Sequence, residues 1–235
     1  MNSLLKILIL FFTCAGCAYA AAQTIQSTWA ASDIALDANL ASPFWQGSPA
    51  VYMDADTHGN HDAKYRTEIR TRWTKQNLYL LFVCPYEQLY LKPNPTTSAE
   101  TNGLWNWDVA EAFIGSDFNN IRRYKEFEIS PQGEWVDLDI DLDHPHEGGG
   151  WKWNSGFAVL ARIDKARGVW YGAMRIPYSA IDARPAAGGN ELRINLFRSQ
   201  GPIFGRHQIA WQAPMSDSFH VPERFGVLKL VKQKE

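Results

Sequence analysis

Cysteine is scarce in this 235-residue sequence, with only three residues, Cys14, Cys17 and Cys84. Two of them fall in an N-terminal segment that we expect to be removed or modified. Cys84 is then the one cysteine left, so the sequence excludes an internal disulfide in the mature chain. Cys84 also ends the apolar run 78–84, a position typical of a small buried residue rather than a nucleophile.

Long hydrophobic runs are also missing. The apolar run 7–13 is too short to span a bilayer, which takes about 20 residues. Lys6 precedes it, and Ala18-Tyr19-Ala20 is a small-x-small cleavage site. We therefore predict a signal peptide over 1–20, a single domain over 21–235, and export to the periplasm or the extracellular space. An alternative is a lipoprotein acylated on Cys17, because Ala15-Gly16-Cys17 resembles the end of a lipobox.

Charge of one sign does not dominate the chain. The formal net charge is −2, and no basic cluster stands out. Nucleic acid is therefore an unfavourable partner. The sequence also has no phosphate-binding loop, no zinc spacing and no Ser–His–Asp order, so the commonest motif-bearing enzyme classes are not indicated.

Aromatic residues, by contrast, are abundant, with 10 Trp, 9 Tyr and 12 Phe. A core can be filled with Leu and Val, so excess Trp indicates a surface that stacks on a ligand. Sugar rings have apolar C–H faces and hydroxylated edges, which suit a Trp plane flanked by polar side chains.

Period-two alternation predicts strands along most of the chain, ten or so in number. The clearest are 67–73, 109–114, 124–130 and 135–142, with a helical turn only at 178–182. Short strands at this spacing predict a β-sandwich or a barrel. The irregular stretches 86–106 and 143–154 are long enough to be functional loops.

The stretch 135–143 is the sharpest alternating pattern. It places Asp137, Asp139, Asp141 and Asp143 on one face, and calcium is a cofactor that such carboxylates could hold. The alternative is an acidic face balanced by Lys or Arg on the neighbouring strand. His144, His146 and Glu147 follow and offer transition-metal ligands, although histidines on a loop are more often solvated.

Several short motifs, in order, resemble those of family 9 carbohydrate-binding modules over essentially the whole mature chain. They are Leu36-Asp37 to Phe44-Trp45, Arg72-Trp73 with Asn77-Leu78-Tyr79-Leu80, Trp105 to Ile114, Met174 to Pro177, Ile194 to Arg198, and Pro222 to Gly226 before Leu228. The resemblance implies a two-sheet antiparallel β-sandwich, immunoglobulin-like or jelly-roll-like. It also implies non-catalytic carbohydrate binding that assists polysaccharide catabolism, beside a secreted glycoside hydrolase as partner.

In such modules two aromatic residues clamp a sugar ring and polar side chains contact its hydroxyls. The resemblance places Trp105 and Phe219 at the two aromatic positions and Glu111 at the signature acid. Trp107 and Arg198 complete the candidate sugar contacts. No cofactor is required on this interpretation.

The chain departs from the family pattern at Thr74, which replaces the usual acid of the hairpin motif, and at four further positions. Phe219 replaces a Trp, Ala110 replaces a Val, Glu128 stands where a basic sugar contact is expected, and Phe197 stands where an amide is expected. The resemblance therefore supports the aromatic clamp better than the hydrogen-bonding set.

Two other functions stay open. Glycoside hydrolysis needs a pair of carboxylates, for which Glu111, Glu128 and Asp137 are available. Haem binding needs axial ligands, and six residues offer them, although no C-x-x-C-H attachment is present: Met53, Met174, Met215, His58, His207 and His220.

Overall fold

The computed structural model describes residues 23–145 and 151–232. The expected signal peptide 1–20, Cys17, His146 and Glu147 lie outside these residues. Thirteen strands are present in the described part: β1 Thr24–Trp29, β2 Val51–Met53, β3 Ala55–Asp56, β4 Thr67–Trp73, β5 Asn77–Pro85, β6 Val109–Gly115, β7 Arg123–Ile129, β8 Trp135–Asp141, β9 Ala158–Asp164, β10 Val169–Pro177, β11 Glu191–Gln200, β12 His207–Ala210 and β13 Gly226–Val231. The two α-helices are single turns, α1 Pro43–Gln46 and α2 Tyr178–Ile181.

The strands form one continuous ladder in the order β8-β7-β6-β11-β13-β1-β4-β5-β10-β9, with β2, β3 and β12 attached at its sides. The all-β class is therefore confirmed. The expectation of two purely antiparallel sheets is not, because β1 runs parallel to both of its neighbours, β13 and β4. Strand β1 comes from the start of the chain and bridges the two antiparallel halves, which turns them into one mixed sheet.

The main core lies between these two halves. Ile69 and Phe82 from one half and Ala112 and Ile194 from the other belong to the same buried cluster. The halves approach closely at Gly172 in β10, where an added Cβ would lie 3.1 Å from a side-chain carbon of Ile129 in β7. A larger residue at 172 would therefore require the side chains of Ile129 and of Trp170, 2.9 Å from the added Cβ, to shift.

Alternation along β6 decides which side chains leave the core. Ala110 and Ala112 belong to the main core, whereas Val109 and Phe113 belong to a second cluster on the opposite face of the same strand. Successive side chains of a strand point to opposite faces, so Glu111 shares the face of Val109 and Phe113. This second face carries the cleft described below.

Alternation and turn residues in the sequence predicted the positions of most of the strands and of the helical turn. The strands predicted at 67–73 and 109–114 are observed as β4 and β6, and the helical turn predicted at 178–182 is α2. Strand β1, Thr24–Trp29, was not predicted, because four of its six residues are Thr, Gln or Ser. None of the helices among the described residues is long and apolar enough to cross a membrane.

Candidate aromatic cleft

The second face of β6, β7, β8 and β11 forms the floor of a cleft of about 440 Å³. Aromatic rings dominate its walls, and carboxyl, amide and hydroxyl groups supply its polar atoms. The lining residues are Asn102, Trp105, Glu111, Phe113, Glu126, Leu138, Trp151, Ser199, Gln208, Phe219 and His220. An apolar cleft with a few convergent polar groups is the usual form of a small-molecule site.

Trp105 is the most exposed aromatic residue of the cleft, with 39% of its surface accessible. It lies in the 3-10 turn Leu104–Asn106, directly before β6. Arg206 holds this turn by donating hydrogen bonds to the carbonyl oxygens of Trp105 at 2.7 Å, Asn106 at 2.8 Å and Trp107. The backbone that carries the indole is therefore fixed before any ligand binds.

Trp107 and Asp108, which follow Trp105, attach the same loop to neighbouring loops. Trp107 stacks on Tyr90 with ring centroids 4.8 Å apart, and it is not among the residues that line the cleft. The buried Asp108 carboxylate accepts backbone hydrogen bonds from Tyr90 at 2.9 Å and from Gly201 at 2.7 Å. Trp107 and Asp108 therefore connect loops, whereas Trp105 faces the cleft.

Phe219 forms another wall of the cleft. Its ring is stacked on Phe197 with centroids 4.1 Å apart and an angle of 11° between the planes. The polar neighbours of Phe219 favour an exposed ring, but it is only 9% exposed because Phe197 covers it from β11. Two of the departures from the family pattern are thus coupled, since the Phe at 197 supports the Phe at 219.

Three glutamates lie at the floor. Glu111 on β6 is directly opposite Glu128 on β7, and Glu126 is two residues from Glu128 on the same face. One carboxylate oxygen from each lies within 4.8 Å of the others, and all three residues are buried. Burial raises the pKa of Glu126 to about 7 and, with the neighbouring carboxylates, raises the pKa of Glu111 and Glu128 well above the usual value.

His220 and Trp151 close the remaining side. The Nδ1 atom of His220 lies 2.6 Å from the Tyr124 hydroxyl, and its ring stacks on Phe113. Burial lowers the pKa of His220, so the imidazole is favoured in its neutral form. The Trp151 indole N–H donates to the carbonyl of Asp141 at 3.1 Å, which fixes the ring against the end of β8.

The family model described as carbohydrate family 9 binding domain-like matches residues 36–233. The chain belongs to this family.

Solved structures share the fold of this chain, and a curated relative is similar to it in sequence. A family 9 module from Caldicellulosiruptor kristjanssonii in complex with cellotriose has a TM-score of 0.64 and 12% identity, covering 91% of this chain and 96% of that one. A protein from Bacteroides uniformis has a TM-score of 0.67 and 14% identity, covering 89% and 100%. An extracellular protein of Arthroderma benhamiae is 23% identical over 183 residues, 71% of this chain and 79% of the relative.

Arg198 does not reach the cleft of this family 9 domain. It is fully buried on the face of β11 opposite Phe197, where it donates to the Thr67 hydroxyl at 3.1 Å and to the Pro85 carbonyl at 2.6 Å. The expectation that Arg198 contacts sugar fails on position, because adjacent residues of a strand face opposite sides. Nor does Arg198 pair with Glu111 in the described part of the chain.

The acidic residues of β8 have partners on β7. Lys125 Nζ lies 2.5 Å from Asp139, and Arg123 lies 2.5 Å from Asp141. Asp137 is fully buried, and its carboxylate accepts the backbone N–H of Ser155 at 2.6 Å. Asp139 and Asp141 are thus balanced by basic residues of β7, whereas Asp137 faces Phe127 and has no Lys or Arg partner among the described residues. Calcium binding by Asp137, Asp139 and Asp141 stays a prediction.

Sequence reasoning missed several residues of this family 9 site, among them Glu126, His220 as a wall of the cleft, and Arg206 as the support of Trp105. Glu126 could have been found, because alternation in the predicted strand 124–130 places it on the same face as Glu128. Arg206 could not, since it lies about one hundred residues from the turn that it holds.

Proposed function

We propose that this protein binds carbohydrate in the aromatic cleft, without catalysing a reaction, after export from the cytoplasm. The observation that carries the proposal is the placement of Trp105 and Phe219 on the walls of one cleft that has Glu111 at its floor. Aromatic rings suit the apolar faces of a sugar, and carboxylate oxygens accept hydrogen bonds from its hydroxyls.

The comparisons support the same function. Family 9 modules from Caldicellulosiruptor kristjanssonii have been solved in complex with cellotriose and with glucose, and they share the fold of this chain. A short β-linked oligosaccharide is therefore the first ligand to test. We propose a role in polysaccharide breakdown beside a secreted glycoside hydrolase, with the extracellular relative supporting export.

The test is a glycan array on residues 21–235, followed by calorimetric titration of the best ligand into Trp105→Ala. Stacking one face of a pyranose removes about 50 Å² of apolar surface, or roughly 1 kcal/mol. Losing the indole also exposes the facing wall, so we expect a cost of about 1.5–3 kcal/mol, a loss of roughly 10- to 150-fold in affinity.

Phe118→Ala is the matched control for this experiment. Phe118 is 49% exposed and does not line the cleft. The proposal expects normal affinity in Phe118→Ala and an unchanged melting temperature in both variants. Equal affinity of the wild type and Trp105→Ala would place the sugar elsewhere, and an array without any binding glycan would contradict the function itself.

Glycoside hydrolysis is the second candidate, because Glu111 and Glu126 bring buried carboxyl groups with raised pKa values to the cleft. A protonated carboxylic acid beside a carboxylate is the pair that glycosidases use. Release of reducing sugar from the array ligands, lost in Glu111→Gln, would replace the binding proposal. A Soret band in the purified protein would instead establish the haem alternative.

A further inference from the structure

The three glutamates of the cleft floor have no Lys or Arg partner in the described part of the chain, in contrast to Asp139 and Asp141 of β8. Glu111, Glu126 and Glu128 are 2%, 3% and 0% exposed. Among residues 23–145 and 151–232, three buried carboxyl oxygens of the cluster have no hydrogen-bond partner: both oxygens of Glu128 and Oε2 of Glu126. Buried polar groups are nearly always paired, so unpaired carboxylate oxygens indicate a ligand that completes them.

The cations nearest to the cluster are already engaged. The Nε2 atom of His220 is 3.9 Å from Glu126, and burial favours the neutral form of that ring. The Arg206 guanidinium is directed at the carbonyl oxygens of Trp105, Asn106 and Trp107. Three like charges placed together in a buried site repel strongly unless protons or a cation neutralise them.

The spacing of the oxygens fits a cation of calcium size. Ca²⁺ binds oxygen at 2.3–2.6 Å and takes 6–8 ligands in flexible geometry. An ion with ligands at about 2.4 Å contacts oxygens up to about 4.8 Å apart, and one oxygen of each glutamate lies within 4.8 Å of the others. Three carboxylates can supply up to six oxygens. Glu111 and Glu126 line the cleft, so solvent can reach the ion and complete its coordination.

We propose that Glu111, Glu126 and Glu128 bind a divalent cation, with calcium the best fit, at the floor of the aromatic cleft. Glu111 and Glu126 line the cleft, so a sugar bound there would contact the ion through its hydroxyls. Ion and sugar should therefore bind cooperatively, a part of the inference that rests on the proposed function. The ion site itself does not depend on it.

The test titrates CaCl₂ and, separately, TbCl₃ into the chelator-treated protein at pH 7.5 without any sugar. Calorimetry should give one site, and terbium emission should be sensitised by the indoles of Trp105 and Trp151, which line the cleft. Glu128→Gln should lower the affinity at least tenfold, and Glu126→Gln should do the same. Both variants keep the side-chain volume, and circular dichroism checks that each is folded.

Asp139→Asn is the matched control, since it removes a carboxylate of the β8 ladder and leaves the cleft intact. Unchanged ion affinity in Asp139→Asn supports the cleft site. Loss of binding in Asp139→Asn but not in Glu128→Gln would move the ion to β8, and no saturable binding at millimolar calcium would overturn the proposal. Sugar titrations with and without EDTA are read separately, so a failure to bind glycan does not count against the ion.

Discussion

Arg206 should act as a positioning residue for Trp105, and its removal tests whether the cleft is preformed. The guanidinium bonds three carbonyl oxygens of the turn 105–107 and, at 3.3 Å, the carbonyl of Gly201. The bonds to Trp105 and Asn106 are exposed, so water can replace them in Arg206→Ala. The bonds to Trp107 and Gly201 are partly buried, so water does not fully replace them in the variant. Hydrogen bonds to charged groups contribute about 1.5–3 kcal/mol each. The Gly201 bond is long, so we expect a loss of about 2–3 kcal/mol of stability.

The effect on sugar binding has a different origin. Without Arg206 the turn carrying Trp105 must be ordered when ligand binds, and ordering one or two residues costs about 1–3 kcal/mol. This corresponds to a loss of roughly 5- to 150-fold in affinity. Titration calorimetry measures it, and Arg206→Lys should fall between the wild type and Arg206→Ala because an ammonium can still donate to some of the carbonyls. If Arg206→Ala lowers the melting temperature but leaves affinity unchanged, the reasoning that Arg206 preorganises Trp105 is refuted.

Three further predictions follow from the burial of single groups and from the N-terminal sequence. Burial raises the pKa of Cys84 to about 12, so this thiol should react with a thiol reagent at pH 8 only as fast as the protein unfolds; rapid modification of the folded protein would contradict its placement. Burial raises the pKa of Glu126 from 4.5 to about 7, so its contribution to stability is complete below pH 4.5 and is lost as the pH rises through 7. The melting temperature of the EDTA-treated protein should therefore fall between pH 5 and pH 8, and Glu126→Gln should flatten that decline; identical declines in both proteins would count against the shift. Intact mass should show a mature chain beginning at Ala21, whereas an acylated Cys17 would establish the lipoprotein.

Local alternation was enough to predict the all-β class and most strands, but it could not predict how the strands pair. The parallel pairs of β1 join Thr24–Trp29 to strands about 45 and 200 residues further along the chain. Such pairs leave no short-range signal, since no turn fixes their register. The parallel pairing of β1 is therefore the part of the fold that could not be predicted from the sequence.

The outcome at the site is mixed. The cleft brings together Trp105, Glu111 and Phe219, which the family resemblance had named. Arg198 was wrongly placed at the sugar site, since alternation along β11 sets it on the face opposite Phe197, the residue that stands at a sugar-contact position in the family pattern. The pairing of β7 with β8 could be predicted from the sequence, because the short turn at 131–133 fixes which basic residue faces which aspartate.

A crystal structure of residues 21–235 with the best-binding oligosaccharide is the most direct test of carbohydrate binding in the cleft. The account predicts a sugar ring stacked on Trp105, with Phe219 on the facing wall and a ring hydroxyl within hydrogen-bond distance of Glu111. A sugar bound on another surface, or an empty cleft at saturating ligand, would contradict it.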